Sequence, residues 1–478
     1  MDLGTGLFVY EKTDLVLPDT IPIVMTRTHR SKDPLSRPFG IGATHSYELF
    51  IVGEKIGQQV GQWVEVVLPD GGRLHYDRLA PPNDQLFEHV GTPSVFYKSQ
   101  LVLDGLVWRL TLKDGTVYEF RIDWAPEIVV LQSITDRFGN KLSILRDADR
   151  RITKIFSPNG RWIEFSYSGT DAKIRQLRDS LGRTVGYEYD ASGRLWRVTD
   201  VKGGVTEFTY NASHHITAIK DPRNITYLTN DYDQNGRVSK QTQADGSVYR
   251  FAYTTDVSGK ITQTDVTDPR GVIRRVSFNA SGYWLTDTRA LGLAEQQTTT
   301  LGREAGSNVV LSQLDALNRE TTYGYDANKN LTRITRLANQ PQPVTTNATY
   351  TPLGEIETIT DPLSHTTTFG YDSRGALTSI TDPLTHQVTV VPDAAGRPSS
   401  VTDFAGTIQV GYAAGDLVSL TDALGHMTQR FVDAGGRETA RTNALGQTAQ
   451  AEYDAFNQAL RLTDALGADT ALTYDGNG

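Results

Sequence analysis

Three histidines fall at one position of a recurring pattern. His365, His386 and His426 each follow a threonine (Thr360, Thr381, Thr421) by five residues. Imidazole is a common zinc ligand. On stacked hairpins, however, His365 and His386 would stand about 10 Å apart, two strand spacings. One ion held at about 2 Å from each nitrogen does not fit that separation. The pattern therefore predicts a tolerant polar strand position. His214 and His215 are adjacent, so a strand would send them to opposite faces. Aspartate recurs at every turn signal, where capping of local N–H groups explains it. The repeated Gly-Gly-x-Gly-x-Asp pattern of calcium β-rolls is absent.

The chain has no cysteine, which excludes disulfides, thiolate metal sites and a cysteine nucleophile. GxSxG, Walker A, GxGxxG and HExxH patterns are missing. No catalytic residue, no cofactor site and no metal site is expected. Arg27, Arg30, Lys32 and Arg37 form the densest basic cluster. It reads as a solvated loop, with contact to an acidic partner as the alternative. A tyrosine ladder could stripe a surface for carbohydrate, but ring packing between neighbouring strands is the more economical account.

The elements that carry these residues repeat. Thr360, Thr381, Thr402, Thr421, Thr442 and Thr463 each precede Asp or Asn and are spaced by 21, 21, 19, 21 and 21 residues. Eleven residues on, the same register holds Tyr371, Pro392, Val432, Tyr453 and Tyr474. Tyr-Asp pairs stand at Tyr189-Asp190, Tyr232-Asp233, Tyr325-Asp326, Tyr371-Asp372, Tyr453-Asp454 and Tyr474-Asp475, with Tyr210 in the same role before an Asn. The array can be followed from about Ser133, with irregular insertions near 255–310 and 335–350.

One unit, TDPLSHTTTFGYDSRGALTSI, reads as a β-hairpin. His365 to Tyr371 is a strand. Asp372 to Gly375 is a turn, with Gly375 supplying positive φ. Ala376 to Ile380 returns, and Asp382-Pro383-Leu384 makes the opposite turn. Two such strands are not stable alone, so the hairpins must pair edge to edge. About sixteen repeats at about 4.8 Å per strand give a ribbon on the order of 150 Å long, roughly one turn around a cavity about 50 Å across. A propeller needs a longer unit and fits a period of about 21 poorly.

Composition agrees. The 478 residues include 43 Gly, and Tyr (21) outnumbers Phe (16), as glycine turns between aromatic and threonine strands require. Net charge is −9, which argues against a general nucleic-acid partner. The acidity belongs to the last third: from Gln342 there are 6 Arg, no Lys and 16 Asp plus Glu. Solubility explains it; a lining for cationic cargo is the alternative. No run of about 20 apolar residues suggests a membrane span, and the start does not read as a Sec signal.

YDASGRL at 189–195 and its relatives resemble the YD repeat of Rhs proteins, Tc-toxin shell proteins and teneurins. DLGTGLFVYEKTDLVLPDTIPIVMTRTHRS with FGIGATHSYELFI is similar to the β domain that precedes the repeats in bacterial Rhs proteins. The expected division is an Rhs-type, plug-like β domain over 1–60, a β meander over 61–130 with Asp-Gly turns at Asp70, Asp104 and Asp114, and repeats over 131–478. The resemblance implies an all-β, hollow shell around a toxin domain, exported by type VI secretion or as a Tc-like toxin for competition between bacteria. It implies as partners a toxin cargo, the rest of the shell and a secretion-tip protein. The expectation is an N-terminal fragment or short member, made in the cytoplasm and exported by a non-Sec route, with its open edge at Ala471 to Tyr474 pairing with another copy. A cell-surface, carbohydrate-binding adhesion protein is the alternative.

Overall fold

Alternation of threonine with apolar residues, broken by Asp/Asn-x-x-Gly every ten or eleven residues, leaves the chain one economical arrangement: a meander of short antiparallel strands. The computed structural model describes residues 1–53, 61–79, 85–91, 94–122, 129–169 and 171–475. Among them there is no helix, and 39 strands join in one antiparallel sheet that closes on itself.

The closure is local. Eight strands run Phe50–Gly53, Trp63–Val67, Arg73–Arg78, Leu86–Glu88, Gln100–Asp104, Val107–Thr111, Val117–Arg121 and Val129–Thr135. Each pairs with the next, and the last returns to the first through Val129 opposite Ile51 and Val130 opposite Phe50. The ring is filled by Ile51, Val66, Tyr76, Phe87, Leu101, Trp108, Leu110, Phe120 and Leu131, all fully buried. Val129–Thr135 serves two neighbours on one edge. Its first residues close the ring, and Ser133 to Thr135 pair with the strand Lys141–Arg146. There the ribbon of hairpin repeats departs.

The ribbon coils because its two rims differ. On the rim that carries the Tyr-Asp turns, nearly every hairpin has a β-bulge just before the tyrosine, as between Glu188 and Tyr189, Gly370 and Tyr371, and Glu452 and Tyr453. An extra residue on one rim bends the strand and adds twist. The far rim lacks this regular insertion, so the ribbon curls.

After about half the chain the ribbon meets itself. Lys113 Nζ donates to the Asn328 carbonyl (2.8 Å), Asn140 Nδ2 to the Ala395 carbonyl (3.2 Å), Arg161 Nε to the Ala434 carbonyl (2.9 Å), Arg183 Nη1 to the Ala455 carbonyl (3.1 Å) and Lys202 Nζ to Gln458 Oε1 (3.0 Å). Twenty-three strands, from Val205–Tyr210 to Thr448–Tyr453, separate the last two partners. At about 4.8 Å per strand one turn is about 110 Å around, so roughly 35 Å across. The coil is tighter than the 50 Å expected from strand count alone, because the recurring bulges add curvature that a strand count omits. The far rim of the first coil rests on the Tyr-Asp rim of the second.

The first coil is also filled. Strands Val9–Leu17, Ile23–Arg30 and Ala43–His45 form a small separate sheet packed on one face of the ribbon, here called the inner face. Phe39 lies against Tyr187 (centroids 4.7 Å apart) and Tyr10 against Phe208 (5.4 Å). Backbone bonds pin it, from Ile174 N–H to the Pro38 carbonyl and from Val238 N–H to the Gly6 carbonyl.

The basic cluster is not a solvated loop. Arg27 lies within Ile23–Arg30, and its guanidinium binds Asp14 through both Nε (2.5 Å) and Nη2 (3.0 Å), with side chains only 5% and 4% exposed. Only Asp14, in the strand immediately before, could have signalled this pairing. Arg37 pairs with Asp33 (2.9 Å), while Lys32 is exposed.

Candidate functional site: the repeat interlock and the inner wall

The Tyr-Asp unit is a mechanical joint, and Asp190 shows its parts. In the turn 190–194 the Asp190 N–H bonds the Arg194 carbonyl and the Gly193 N–H bonds the Asp190 carbonyl. One carboxylate oxygen accepts from the N–H groups of Ser192 (2.9 Å) and Arg194 (3.0 Å). The other accepts from Arg194 Nε (2.7 Å). Partial burial works to raise this carboxyl's pKa, but the N–H bonds and the Arg194 charge outweigh it and hold it below the usual carboxylate range.

Arg194 then reaches the next hairpin. Its Nη1 donates to the Asn211 carbonyl (2.9 Å) and its guanidinium lies 5.0 Å from the Tyr210 ring centroid. The Tyr210 hydroxyl donates back to the Leu195 carbonyl (2.5 Å), one residue past that arginine. Burial of the ring pushes the Tyr210 pKa up, so the hydroxyl stays a donor. The same cycle joins Asp147, Arg151 and Tyr167, and joins Asp433, Arg437 and Tyr453.

The remaining sequence-predicted positions fall into this scheme. Tyr189, Tyr325, Tyr371 and Tyr474 each donate to the carbonyl of the residue fifteen positions earlier, and Tyr232 to that sixteen earlier. Asp233, Asp326, Asp372 and Asp454 cap their turns through two N–H groups each. Asp475 pairs across the coils with Arg223 (3.0 Å); the turn after it lies outside the described residues. Gly375 has φ +81°, and a Cβ there would also meet Arg137 and Glu355, which form an ion pair between the coils.

The histidines are turn residues, not strand residues. His365, His386 and His426 occupy the arginine position, each Nδ1 against its own turn aspartate at 3.1, 2.8 and 3.0 Å. His214 has φ +64° in a turn, and His215 takes the arginine position with its ring 4.7 Å from Tyr232. Among the described residues no group of three His, Asp or Glu is placed to hold a metal ion. The tyrosines of the complete joints give their hydroxyls to backbone and a ring face to a guanidinium, so they form no open stripe.

The two sheet faces differ in chemistry. Following the registers from Tyr187, the inner face carries Val198, Phe208, Ile219 and Leu228, then after a polar and aromatic stretch Tyr323, Ile334, Ile359, Phe369, Ile380, Val390, Val401, Val410, Leu420 and Leu462. The other face is a threonine ladder, with hydroxyl pairs Thr335–Thr345 (3.0 Å), Thr360–Thr366 (2.9 Å), Thr402–Thr407 (2.8 Å) and Thr442–Thr448 (2.7 Å). The first coil's inner face is buried under the N-terminal sheet. In the second coil the same face is only half-buried. The aspartates of the last third sit mainly in turns, on the rims. The inner wall there is apolar, interrupted by Arg430 and Arg441, which both pair with Glu438.

A spiral of interlocked hairpins, its first coil filled by the small N-terminal sheet and its second lined with apolar residues, has the build of a shell-type β-repeat protein. The RHS Repeat family model matches residues 189–226, 350–387 and 371–408, and a model described as a domain of unknown function, DUF6531, matches 1–76. The chain therefore carries RHS repeats, in agreement with the resemblance read from its Tyr-Asp units. No curated protein matches it. The crystal structure of TcdB2-TccC3 without its hypervariable C-terminal region is similar over 92% of this chain and 24% of that one, at 13% identity and TM-score 0.53. Similarity extends to the crystal structure of TcdB2-TccC3 (83% of this chain, 27% of that, 14% identity, TM-score 0.44) and to a Photorhabdus luminescens Tc holotoxin pore (95%, 30%, 12%, TM-score 0.43). The chain thus spans about a quarter of the first structure's length.

Proposed function

We propose that this chain is a non-catalytic wall of a shell that encloses a polypeptide cargo, a toxin domain carried C-terminally or by a partner. One observation carries the reading: the apolar inner face that the N-terminal sheet covers in the first coil continues uncovered through the second. A half-buried sheet face of this kind needs an occupant. An extended or unfolded polypeptide suits it, since apolar contact is non-directional and makes no demand on cargo sequence. The N-terminal sheet acts as the plug. Export by a non-Sec route and a role in competition between bacteria belong to the same proposal.

A test uses reduced, carboxymethylated α-lactalbumin, a permanently unfolded polypeptide, as the probe. The full chain should bind it, and Phe369→Glu with Ile380→Glu on the inner face should weaken binding at least tenfold. Thr358→Glu with Thr368→Glu on the outer face should leave it unchanged. Absence of binding by the unaltered chain, or equal loss from both faces, contradicts the proposal.

A further inference from the structure

One joint of the ribbon is built with its parts exchanged. In the turn 279–283 an asparagine stands where the complete joints have aspartate, and Asn279 Oδ1 accepts from the N–H groups of Ser281 (3.0 Å) and Tyr283 (3.0 Å). Tyr283 holds the arginine position. Arg303, on the next hairpin, holds the tyrosine position, and its Nε donates to the Trp284 carbonyl (3.0 Å), one residue past Tyr283. The guanidinium still lies over a ring, 5.3 Å from the Tyr283 centroid. What the exchange removes is the carboxylate. Among the described residues Arg303 bonds only carbonyls, those of Trp284 and Asn308 (2.7 Å), and makes no ion pair.

A second cation without a counter-charge comes from the turn after Val107–Thr111. Lys113 Nζ bonds the Asn328 carbonyl (2.8 Å) and Asn330 Oδ1 (3.4 Å), both neutral. Asp326 acts on it from a distance but caps its own turn, through the N–H groups of Asn328 and Asn330. Lys329 is neutralised by Glu304 at 2.6 Å. These three cations line one cavity of about 430 Å³ with Tyr97, Tyr283 and Tyr325, and among the described residues no Asp or Glu lines it. Burial lowers the pKa of both Lys113 and Arg303, as expected of cations drawn from water without a partner. The chain as a whole is acidic, so its bulk charge does not explain this wall.

We propose that the cavity binds a doubly charged phosphate anion, free or as the monoester of a small organic group, which ties the ring of strands to the second coil. Two uncompensated positive charges match a phosphate monoester, which carries about −1.5 to −2 at neutral pH. The arginine fork suits phosphate oxygens in pairs, and the lysine adds a point charge. The volume exceeds that of a bare phosphate, and the tyrosine rings offer an organic group apolar surface. The site is apart from the inner wall, so its failure would leave the shell proposal standing.

Isothermal titration calorimetry of the full chain with inorganic phosphate and with glucose 6-phosphate tests it, with glucose as the neutral control. The expected result is saturable binding of phosphate, weakened by sodium chloride and absent for glucose. Tighter binding of the monoester assigns the organic group to the tyrosine rings; equal affinity assigns the site to the free anion. Lys113→Met and Arg303→Met should each weaken binding at least tenfold, Lys113→Arg should keep it, and Arg289→Met, outside the cavity, should leave it unchanged. Circular dichroism checks that the variants fold, and Lys113, a turn residue, keeps the test readable if Arg303→Met does not. Bound phosphate should also slow hydrogen exchange at 112–115 and 326–330 together. No saturable binding of either phosphate, equal binding of glucose, binding that survives both methionine substitutions, or exchange slowed at neither turn overturns the proposal.

Discussion

Lys202 Nζ sits 2.5 Å from the Asp454 carboxylate, although about half the chain separates them. The pair joins the far rim of the first coil to the Tyr-Asp rim of the second. Asp454 also caps its own turn, so one carboxylate serves both the hairpin and the contact between coils. Its burial favours the neutral form, but the Lys202 contact and the N–H bonds of Gln458 and Phe456 outweigh that and keep it ionised. Lys202→Met should cost about 1 kcal/mol, since the lysine is partly exposed. Hydrogen exchange should quicken over 448–463 while the first coil stays protected.

The buried Asp14–Arg27 pair should matter more. Tyr187 donates to the same carboxylate (2.6 Å), so sheet and ribbon share one charged centre. Arg27→Met leaves Asp14 buried without its counter-charge, at an expected cost of about 3–5 kcal/mol. Asp14→Asn should cost less than Asp14→Ala, because it retains a hydrogen-bonding group for Arg27 and Tyr187. Urea unfolding of the full chain measures both.

The joint itself predicts additive losses. Tyr189→Phe, Tyr371→Phe and Tyr453→Phe each remove one hydroxyl–carbonyl bond, worth about 1 kcal/mol. The three sites share no partner, so the triple variant should lose about the sum. Thermal melts of the single and triple variants test this; a triple no worse than one single would mean the tyrosine hydroxyl does not hold the repeat.

Acid should loosen the N-terminal sheet. Burial, then the neighbouring His215, lowers the His29 pKa to about 4, and burial, then Arg146, lowers that of His45 to about 3. Both histidines are neutral when folded and take up protons near pH 6.5 when unfolded. Their contribution to stability is therefore complete above about pH 6.5 and lost as pH falls toward 4 and 3. Melting temperature should drop over that window, and less steeply in His45→Gln than in the unaltered chain.

Much of this architecture was legible in local pattern. Thr-Asp spacing, Tyr-Asp turns and Gly375 identify hairpins because turn chemistry is set within five residues. Three features were not. The bulge before each tyrosine changes no residue type, so the sequence reads one strand where the structure has a bent one. The ring closes through Val129 and Val130 against Phe50 and Ile51, a pairing that local alternation cannot specify. Arg161, Arg183 and Lys202 act on partners hundreds of residues away; each looks like an ordinary turn residue. His365, His386 and His426 were misplaced by one element, because a histidine can replace the turn arginine while keeping the aspartate contact.

The central claim is that one ribbon winds into overlapping coils held rim to rim, with its apolar face turned to the space they surround. The absence of native cysteine allows a direct measurement. Cysteines replacing Lys202 and Asp454 should be joined within one molecule, rapidly and nearly completely, by a short bismaleimide, and a pair replacing Lys202 and Leu363 should not. Equal reaction of both pairs, or none by the first in a chain that still folds, would contradict the coiled shell.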